Sequence, residues 1–169
     1  MFDLNFEEDD EVYLDKYFKR IKGFRSKKSF SDGSYERSDG WLSIYISCYD
    51  PEHEESYKNA LEYFVTHQKE VLDALCNGLL KKYPELMEMY GETGFSDDNF
   101  PELKNIEDVK KHLTIHTLHI HEKDDDTFAK IGFECECPWD PEHGTGIVMY
   151  KDTFINFGGA DTAISGWED

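Results

Sequence analysis

The sequence predicts an α+β domain: a mostly antiparallel sheet with one long helix packed on one of its faces. Residues 41–48 alternate apolar and polar side chains, and residues 127–137 do the same, as half-buried strands do. Between these two stretches, apolar side chains recur at helical spacing from Tyr57 to Tyr83. Helices that are clustered between runs of strands are typical of the α+β class.

The length of the chain, 169 residues, indicates a single domain that covers residues 1–169. A chain of this size hides roughly 70% of its unfolded surface on folding, so it needs neither a disulfide nor a metal to be stable. Aromatic residues make up 15% of the sequence and supply material for a core. Residues 1–11 are acidic, and we expect them to form a loose N-terminal segment.

The N-terminal half supplies strands, a loop and the long helix. Residues 12–24 are rich in aromatics and are predicted to form a strand, although their apolar residues also fit a helical turn. Residues 25–40 are rich in Ser, Gly and Asp and are predicted to form a surface loop. Asp50 is expected to cap the helix, with Pro51 at its first position. We expect this helix to end near Pro84, because proline disfavours a continuing helix.

The C-terminal half supplies most of the sheet. Its apolar residues alternate in several short runs that are separated by turn-forming residues. The predicted order is a short helix at 101–113, then strands at 116–121, 127–137, 147–150 and 153–157, with a hairpin loop at 123–126, a sharp turn at 139–144 and a two-residue turn at 151–152.

The balance of charge limits the partners of the protein. The chain carries 37 acidic and 18 basic residues, which gives a formal net charge of −19. This charge repels phosphate backbones and anionic lipid surfaces, so we expect neither nucleic acid nor a membrane as a partner. It favours a basic protein partner that associates under electrostatic steering. The alternative is a charge that serves solubility alone.

Localisation and cofactors are expected from what the sequence lacks. It shows no export signal at its N-terminus and no run of about 18 apolar residues that would span a membrane. We therefore expect a cytoplasmic protein whose four cysteines are free thiols. The sequence has no glycine-rich phosphate loop and no Gly-x-Ser-x-Gly elbow, and we expect no bound cofactor.

One segment carries residues that are able to do chemistry. Asp140, Glu142 and His143 are of the types that form acid–base or metal sites, so a hydrolytic site is one interpretation. Turn formation explains most of the same segment, because Asp followed by Pro begins a turn and glycine accommodates positive φ or a bulge. Under this second interpretation, Trp139 anchors the segment in the core. The residues to which we assign a structural role are Trp139, Pro141, Gly144, Gly146, Gly158 and Gly159.

Two histidines and two cysteines on neighbouring predicted strands are of the types that hold zinc. His119 and His121 alternate with apolar residues and are predicted to face outward. Cys135 and Cys137 are predicted to face inward with the apolar residues of their own strand. Ligands on opposite faces of a sheet cannot meet at one ion without a bulge, so we expect no metal site.

A family resemblance rests on two motifs. Trp139–Gly146 follows the strand that contains Ile131–Phe133, and Gly158–Asp161 completes the pattern. These residues resemble an uncharacterised bacterial family, the domain-of-unknown-function family six-nine-eight-five, whose members pair a Trp-Asp-x-Glu-His-Gly-x-Gly turn with a C-terminal Gly-x-Ala-Asp. The resemblance covers about residues 39–161 and implies no catalytic role. Small acidic bacterial proteins of this kind are often immunity partners of secreted toxins, which is an analogy with a class.

Together these observations predict a non-enzymatic acidic binding protein, namely an immunity protein that neutralises a basic toxin domain. A few aromatic anchors usually dominate the energy of an interface. Two such aromatics lie on the face of their predicted strand that is opposite to its apolar residues. The alternatives are a hydrolytic or metal-assisted enzyme that uses Glu142 and His143, and a structural or regulatory domain. The predicted binding residues are Trp41, Tyr45, Asp124, Asp125, Asp126, Asp140 and Glu142.

Overall fold

The computed structural model describes residues 11–13, 21–22, 41–47, 49–92, 100–121 and 127–165. The predicted loops at 25–40 and 123–126 lie outside these ranges, as do residues 1–10 of the N-terminal segment. In chain order the elements are β1 (Glu11–Tyr13), β2 (Ile21–Lys22), β3 (Trp41–Ser47), α1 (Glu54–Thr66), α2 (Gln68–Glu92), α3 (Ile106–His112), β4 (Thr114–His121), β5 (Lys130–Cys137), β6 (Asp140–Tyr150), β7 (Thr153–Gly159) and α4 (Ala160–Ser165).

The strands form a sheet in the order β1-β3-β4-β5-β6-β7, and β2 also pairs with β3. Strand β3 runs parallel to β4, and the other described pairs are antiparallel. The α+β class with a mostly antiparallel sheet is therefore confirmed. The parallel pair is an addition to the prediction. It arises because three helices connect β3 to β4 and return the chain to the end of the sheet at which β3 began.

The start of the helical layer follows the predicted cap. The Asp50 carboxylate oxygen Oδ1 accepts a hydrogen bond from the backbone N–H of Glu52 at 2.9 Å. A short 3-10 turn, Pro51–His53, comes first, and the α-helix proper begins at Glu54. The cap is therefore where the sequence predicts it, although the first turn is tighter than an α-helical one.

The helical layer differs from the prediction of one long helix. Helices α1 and α2 are separated at His67, whose φ and ψ are −119° and 32°. Helix α2 then continues through Pro84 to Glu92, so the predicted end near Pro84 is wrong. The side chain of Leu86, beyond the proline, is only 1% exposed, and such packing offsets the cost of an internal proline, about 3 kcal/mol. No helix in the described part of the chain is long and apolar enough to cross a membrane.

One face of the sheet packs against the helices. Leu42, Ile44 and Ile46 of β3 are fully buried, as the alternation of that strand predicts. Phe64 of α1 contacts Phe133 of β5 edge to face, with 5.4 Å between the ring centroids. The same core includes Tyr57, Leu61, Leu75, Leu79, Leu118, Ile120, Ile131, Ile147 and Met149.

The other face of the sheet, called here the outer face, carries the short helix α4, which the sequence does not predict. Helix α4 lies against β4, β5, β6 and β7. It approaches closely because three glycines lie beneath it. A Cβ atom on Gly132 or Gly146 would overlap the backbone of Ala163. A Cβ atom on Gly158 would overlap the side chain of Thr162.

Candidate functional site

The candidate site is built on the start of β6. Pro138 and Trp139 form the turn after β5, and β6 already begins at Asp140. The predicted sharp turn over residues 139–144 is therefore wrong in its extent. The segment is a two-residue turn followed by an irregular strand.

A bulge occupies the first part of β6. Cys137 of β5 pairs with Asp140, and Cys135 pairs with Thr145, so the residues between Asp140 and Thr145 exceed those that face them. Gly144 closes the bulge with a φ of +83°, a conformation that favours glycine. A Cβ atom on Gly144 would also overlap the carbonyl group of Cys135. The bulge lifts residues 141–144 out of the regular ladder.

Asp140 holds the bulge in place. Its Oδ2 accepts a hydrogen bond from the hydroxyl of Tyr90 at 3.0 Å, and its Oδ1 accepts one from the backbone N–H of His143 at 3.1 Å. The Nδ1 atom of His143 also lies 3.2 Å from Oδ1. Asp140 is buried, whereas the side chains of Glu142 and His143 are exposed. Burial and the neighbouring Asp140 raise the pKa of Tyr90 well above its ordinary value, so the hydroxyl remains a donor.

The buried side chain of Trp139 anchors the turn in the core. Its side chain is fully buried, and the rings of Tyr83 and Phe100 lie 5.5 Å and 6.5 Å from it, centroid to centroid. The hydroxyl of Tyr83 donates a hydrogen bond to the carbonyl oxygen of Pro101 at 2.7 Å. The indole Nε1 of Trp139 has no hydrogen-bond partner among the described residues. The turn therefore packs against an aromatic cluster that connects α2 to the sheet.

The pairing register shows which residues share one end of the sheet. Strand β3 begins at Trp41 and runs parallel to β4, with Ser43 opposite Thr117. Thr114 at the start of β4 pairs with Glu136, near the end of β5. The bulge of β6 follows at the same end, three strands away from Trp41, which is about 14 Å at the usual strand spacing.

Four carboxylates at this end of the sheet have no lysine or arginine partner among the described residues. They are called here the acidic end: Glu136, Asp140, Glu142 and Asp161. Asp161 belongs to this group because it comes two residues after Gly159, the last residue of β7, which pairs with Thr145 at the end of the bulge. Among the described residues, no lysine or arginine forms an ion pair with any of the four.

The lysines lie elsewhere. The lysine–carboxylate ion pairs between described residues all fall in the helical layer and the segment before α3. The two lysines of residues 127–165 lie at the opposite end of the sheet: Lys130 pairs with His121, and Lys151 follows the last residue of β6. The ammonium group of Lys151 is 3.8 Å from the ring centroid of Phe128. The eight residues of β5 separate the two ends by about 24 Å.

The two predicted aromatic anchors lie on the outer face of β3. Trp41 is 49% exposed. Tyr45 is half-buried, and its ring packs edge-on against the imidazole of His119, with 5.6 Å between centroids. Trp41 therefore lies at the acidic end with about half of its surface exposed, whereas Tyr45 lies farther along the strand and is half-buried.

His119 forms an ion-pair-like contact that the sequence does not reveal. Its Nε2 atom lies 2.7 Å from Oε2 of Glu134 on β5. This hydrogen bond lowers the pKa of Glu134. His119 is only 6% exposed, and its Nδ1 atom has no hydrogen-bond partner among the described residues. His119 lies on the outer face, as alternation predicts, and its side chain is buried there.

His121 is covered by α4. Its Nε2 donates a hydrogen bond to the carbonyl oxygen of Ala163 at 2.5 Å, and its side chain is 5% exposed. Burial lowers its pKa to about 4. His121 therefore lies on the outer face, as alternation predicts, and it is buried because that face carries a helix at this point.

The cysteines face the helices, as alternation predicts. Cys135 and Cys137 are fully buried, and burial raises the pKa of both thiols far above the ordinary value. The imidazoles of His119 and His121 lie on the other face of the sheet. In the ranges that the structure describes, no three His, Cys, Asp or Glu side chains come together in a way that would hold a metal ion.

A family model matches residues 30–164 of the chain. The chain belongs to the family described as a domain of unknown function, DUF6985. The resemblance inferred from the two motifs is thereby confirmed. No curated protein and no solved structure matches the chain. The description of DUF6985 names no activity, so the roles of its residues are argued from the geometry.

Within the DUF6985 region, the structure brings some of the predicted site residues together and leaves others apart. Trp41, Asp140, Glu142 and His143 share one end of the sheet. Tyr45 lies on the same outer face, farther from that end. The three predicted binding residues in the loop lie outside the described residues: Asp124, Asp125 and Asp126.

The residues with predicted structural roles occupy the turn, the bulge and the floor beneath α4. Trp139 is in the core and Pro141 is half-buried at the start of the bulge. Gly144 closes the bulge, and Gly159 ends β7, where an added Cβ would lie 3.0 Å from the Asp161 carboxylate. The two remaining glycines, Gly146 and Gly158, lie beneath α4.

Three residues of the DUF6985 site are missed by sequence reasoning. Glu134 alternates with the buried Phe133 and Cys135, so the strand pattern already indicates its outward side. Its contact with His119 depends on strand pairing, which no local pattern gives. Tyr90 and Asp161 reach the site only because α2 continues past its proline and because α4 follows β7. No local sequence pattern indicates that either of these two residues lies at the site.

Proposed function

We propose that this DUF6985 chain is a non-enzymatic cytoplasmic binding protein, an immunity protein that neutralises a basic toxin domain. The observation that carries the proposal is the acidic end, where four carboxylates without a lysine or arginine partner among the described residues lie at the same end of the sheet as the exposed Trp41. The formal net charge of −19 supports the same partner chemistry.

Unpaired carboxylates favour a cationic partner for a physical reason. A carboxylate that pairs with a lysine of its own chain presents little net charge, whereas an unpaired one contributes fully to the surface potential. Neighbouring potentials of one sign add and raise the association rate of an oppositely charged protein. The acidic end is therefore the surface at which a basic domain would arrive first.

Charge alone gives speed and orientation more than affinity, so an interface also needs anchors. Trp41 offers a large, half-exposed ring at the acidic end. Glu142 projects from a bulge whose backbone is held by the Asp140 hydrogen bond and the turn at Gly144, so binding has less backbone entropy to remove there. Tyr45 extends the aromatic surface inward. The acidic end does not include the predicted binding residues Asp124, Asp125 and Asp126, which lie in the chain between His121 and Lys130, a pair at the opposite end of the sheet.

The proposal is tested by capture from native cells with the tagged chain, at low and at high salt, with mass spectrometry of what is retained. We expect a basic protein domain that is retained at low salt and associates more slowly as salt rises, because screening shortens the range of the attraction. Empty eluates at both salt concentrations, or a partner whose association rate is independent of salt, would overturn the proposal.

A pair of matched variants locates the surface once a partner is in hand. Glu142→Gln removes one charge from the acidic end and should slow association severalfold. Glu62→Gln removes one charge from an exposed position on α1, close to the opposite end of the sheet, and is the control. If the two variants slow association equally, the net charge of the protein determines the association rate and the acidic end has no special role.

A second candidate function is a hydrolytic enzyme, and the Asp140–His143 contact favours it. A carboxylate that holds Nδ1 of an imidazole leaves Nε2 available to accept a proton. In this chain the imidazole of His143 is exposed, so its Nε2 is accessible to solvent. The enzyme would use His143 as general base, with Glu142 beside it.

The two functions separate in an activity screen. The enzyme predicts a hydrolytic activity that disappears in His143→Gln and in Glu142→Gln while the melting temperature is unchanged. If the chain is a binding protein, neither substitution should change whatever trace hydrolytic activity the preparation contains.

A further inference from the structure

We draw no further inference here: the strongest candidate, the uncharged edge of the sheet along β7, where the side chain of Ile155 is 42% exposed, carries nothing because nothing in the described part of the chain shows what covers it.

Discussion

Tyr90, near the end of α2, donates a hydrogen bond to Asp140 at the start of β6, with 3.0 Å between Oη and Oδ2. These residues are 50 positions apart in the chain. The contact fastens the helical layer to the bulge that carries Glu142 and His143. It exists only because α2 continues beyond Pro84.

Removal of this hydroxyl should loosen the bulge. We expect Tyr90→Phe to lower the free energy of unfolding by about 1–3 kcal/mol, because the acceptor is a buried carboxylate that would lose one donor. Tyr63→Phe is the matched control, since no described residue accepts a hydrogen bond from the Tyr63 hydroxyl. Chemical denaturation of the two variants measures the difference. Equal stability losses would mean that the Tyr90 contact adds nothing.

Trp139 and Glu142 should respond very differently to substitution, although they lie three residues apart. Trp139→Ala should cost about 3–5 kcal/mol of unfolding free energy, because it leaves a cavity between Tyr83 and Phe100. Glu142→Gln changes an exposed side chain and should stay within about 0.5 kcal/mol. Urea unfolding curves of both variants provide the check. A large loss in Glu142→Gln would contradict the exposed position of that residue.

The glycines beneath α4 give a sharp steric prediction. Gly132→Ala should destabilise the fold by about 1–3 kcal/mol, because the new Cβ meets the Ala163 backbone, which has no flexible end to move aside. Gly91→Ala is the control: nothing lies within 4 Å of its added Cβ, and alanine suits a helix better than glycine. Thermal melts should therefore shift in opposite directions. A neutral Gly132→Ala would show that α4 is free to move away from the sheet.

His121 should make stability depend on pH. Its folded-state pKa is about 4, below the ordinary value of 6.5, because burial disfavours the charged ring. The unfolded chain therefore binds the proton more readily, and stability is lost as pH falls from about 6.5 towards 4. The loss should approach about 3 kcal/mol. His121→Gln should remove this part of the pH dependence, and identical pH profiles for the two proteins would contradict the assignment.

The elements that a local pattern defines were predictable from the sequence. The alternation in β3 correctly places Leu42, Ile44 and Ile46 in the core. Asp50 carries the cap that its side chain suggests. In such cases each residue's environment follows from the period of its own segment, and no distant contact is needed.

The remaining features depend on contacts between distant segments. His67 interrupts the helices without a proline or glycine to indicate it. Pro84 fails to end α2 because packing beyond it, such as the burial of Leu86, offsets the cost of the proline. The role of the glycines under α4 and the contact between His119 and Glu134 are predictable only when the order of the strands is known. The periodicity of the sequence does not determine that order. The bulge of β6 was also not predictable, because residues are extra only by comparison with the paired residues of β5.

Within residues 127–165, the acidic end carries four carboxylates and the opposite end carries Lys130, Lys151 and Asp152, so this part of the sheet has an electric dipole along its strands. A cationic molecule at a distance would exert a torque on this dipole as well as a pull on the net charge. Rotation in solution is fast, so the protein would turn its negative end towards the cationic molecule before the two surfaces touch. Orientation would thus be biased during diffusion, and fewer encounters would be wasted on the wrong side of the molecule. Dissolved ions weaken both pull and torque beyond a Debye length, about 8 Å at physiological ionic strength.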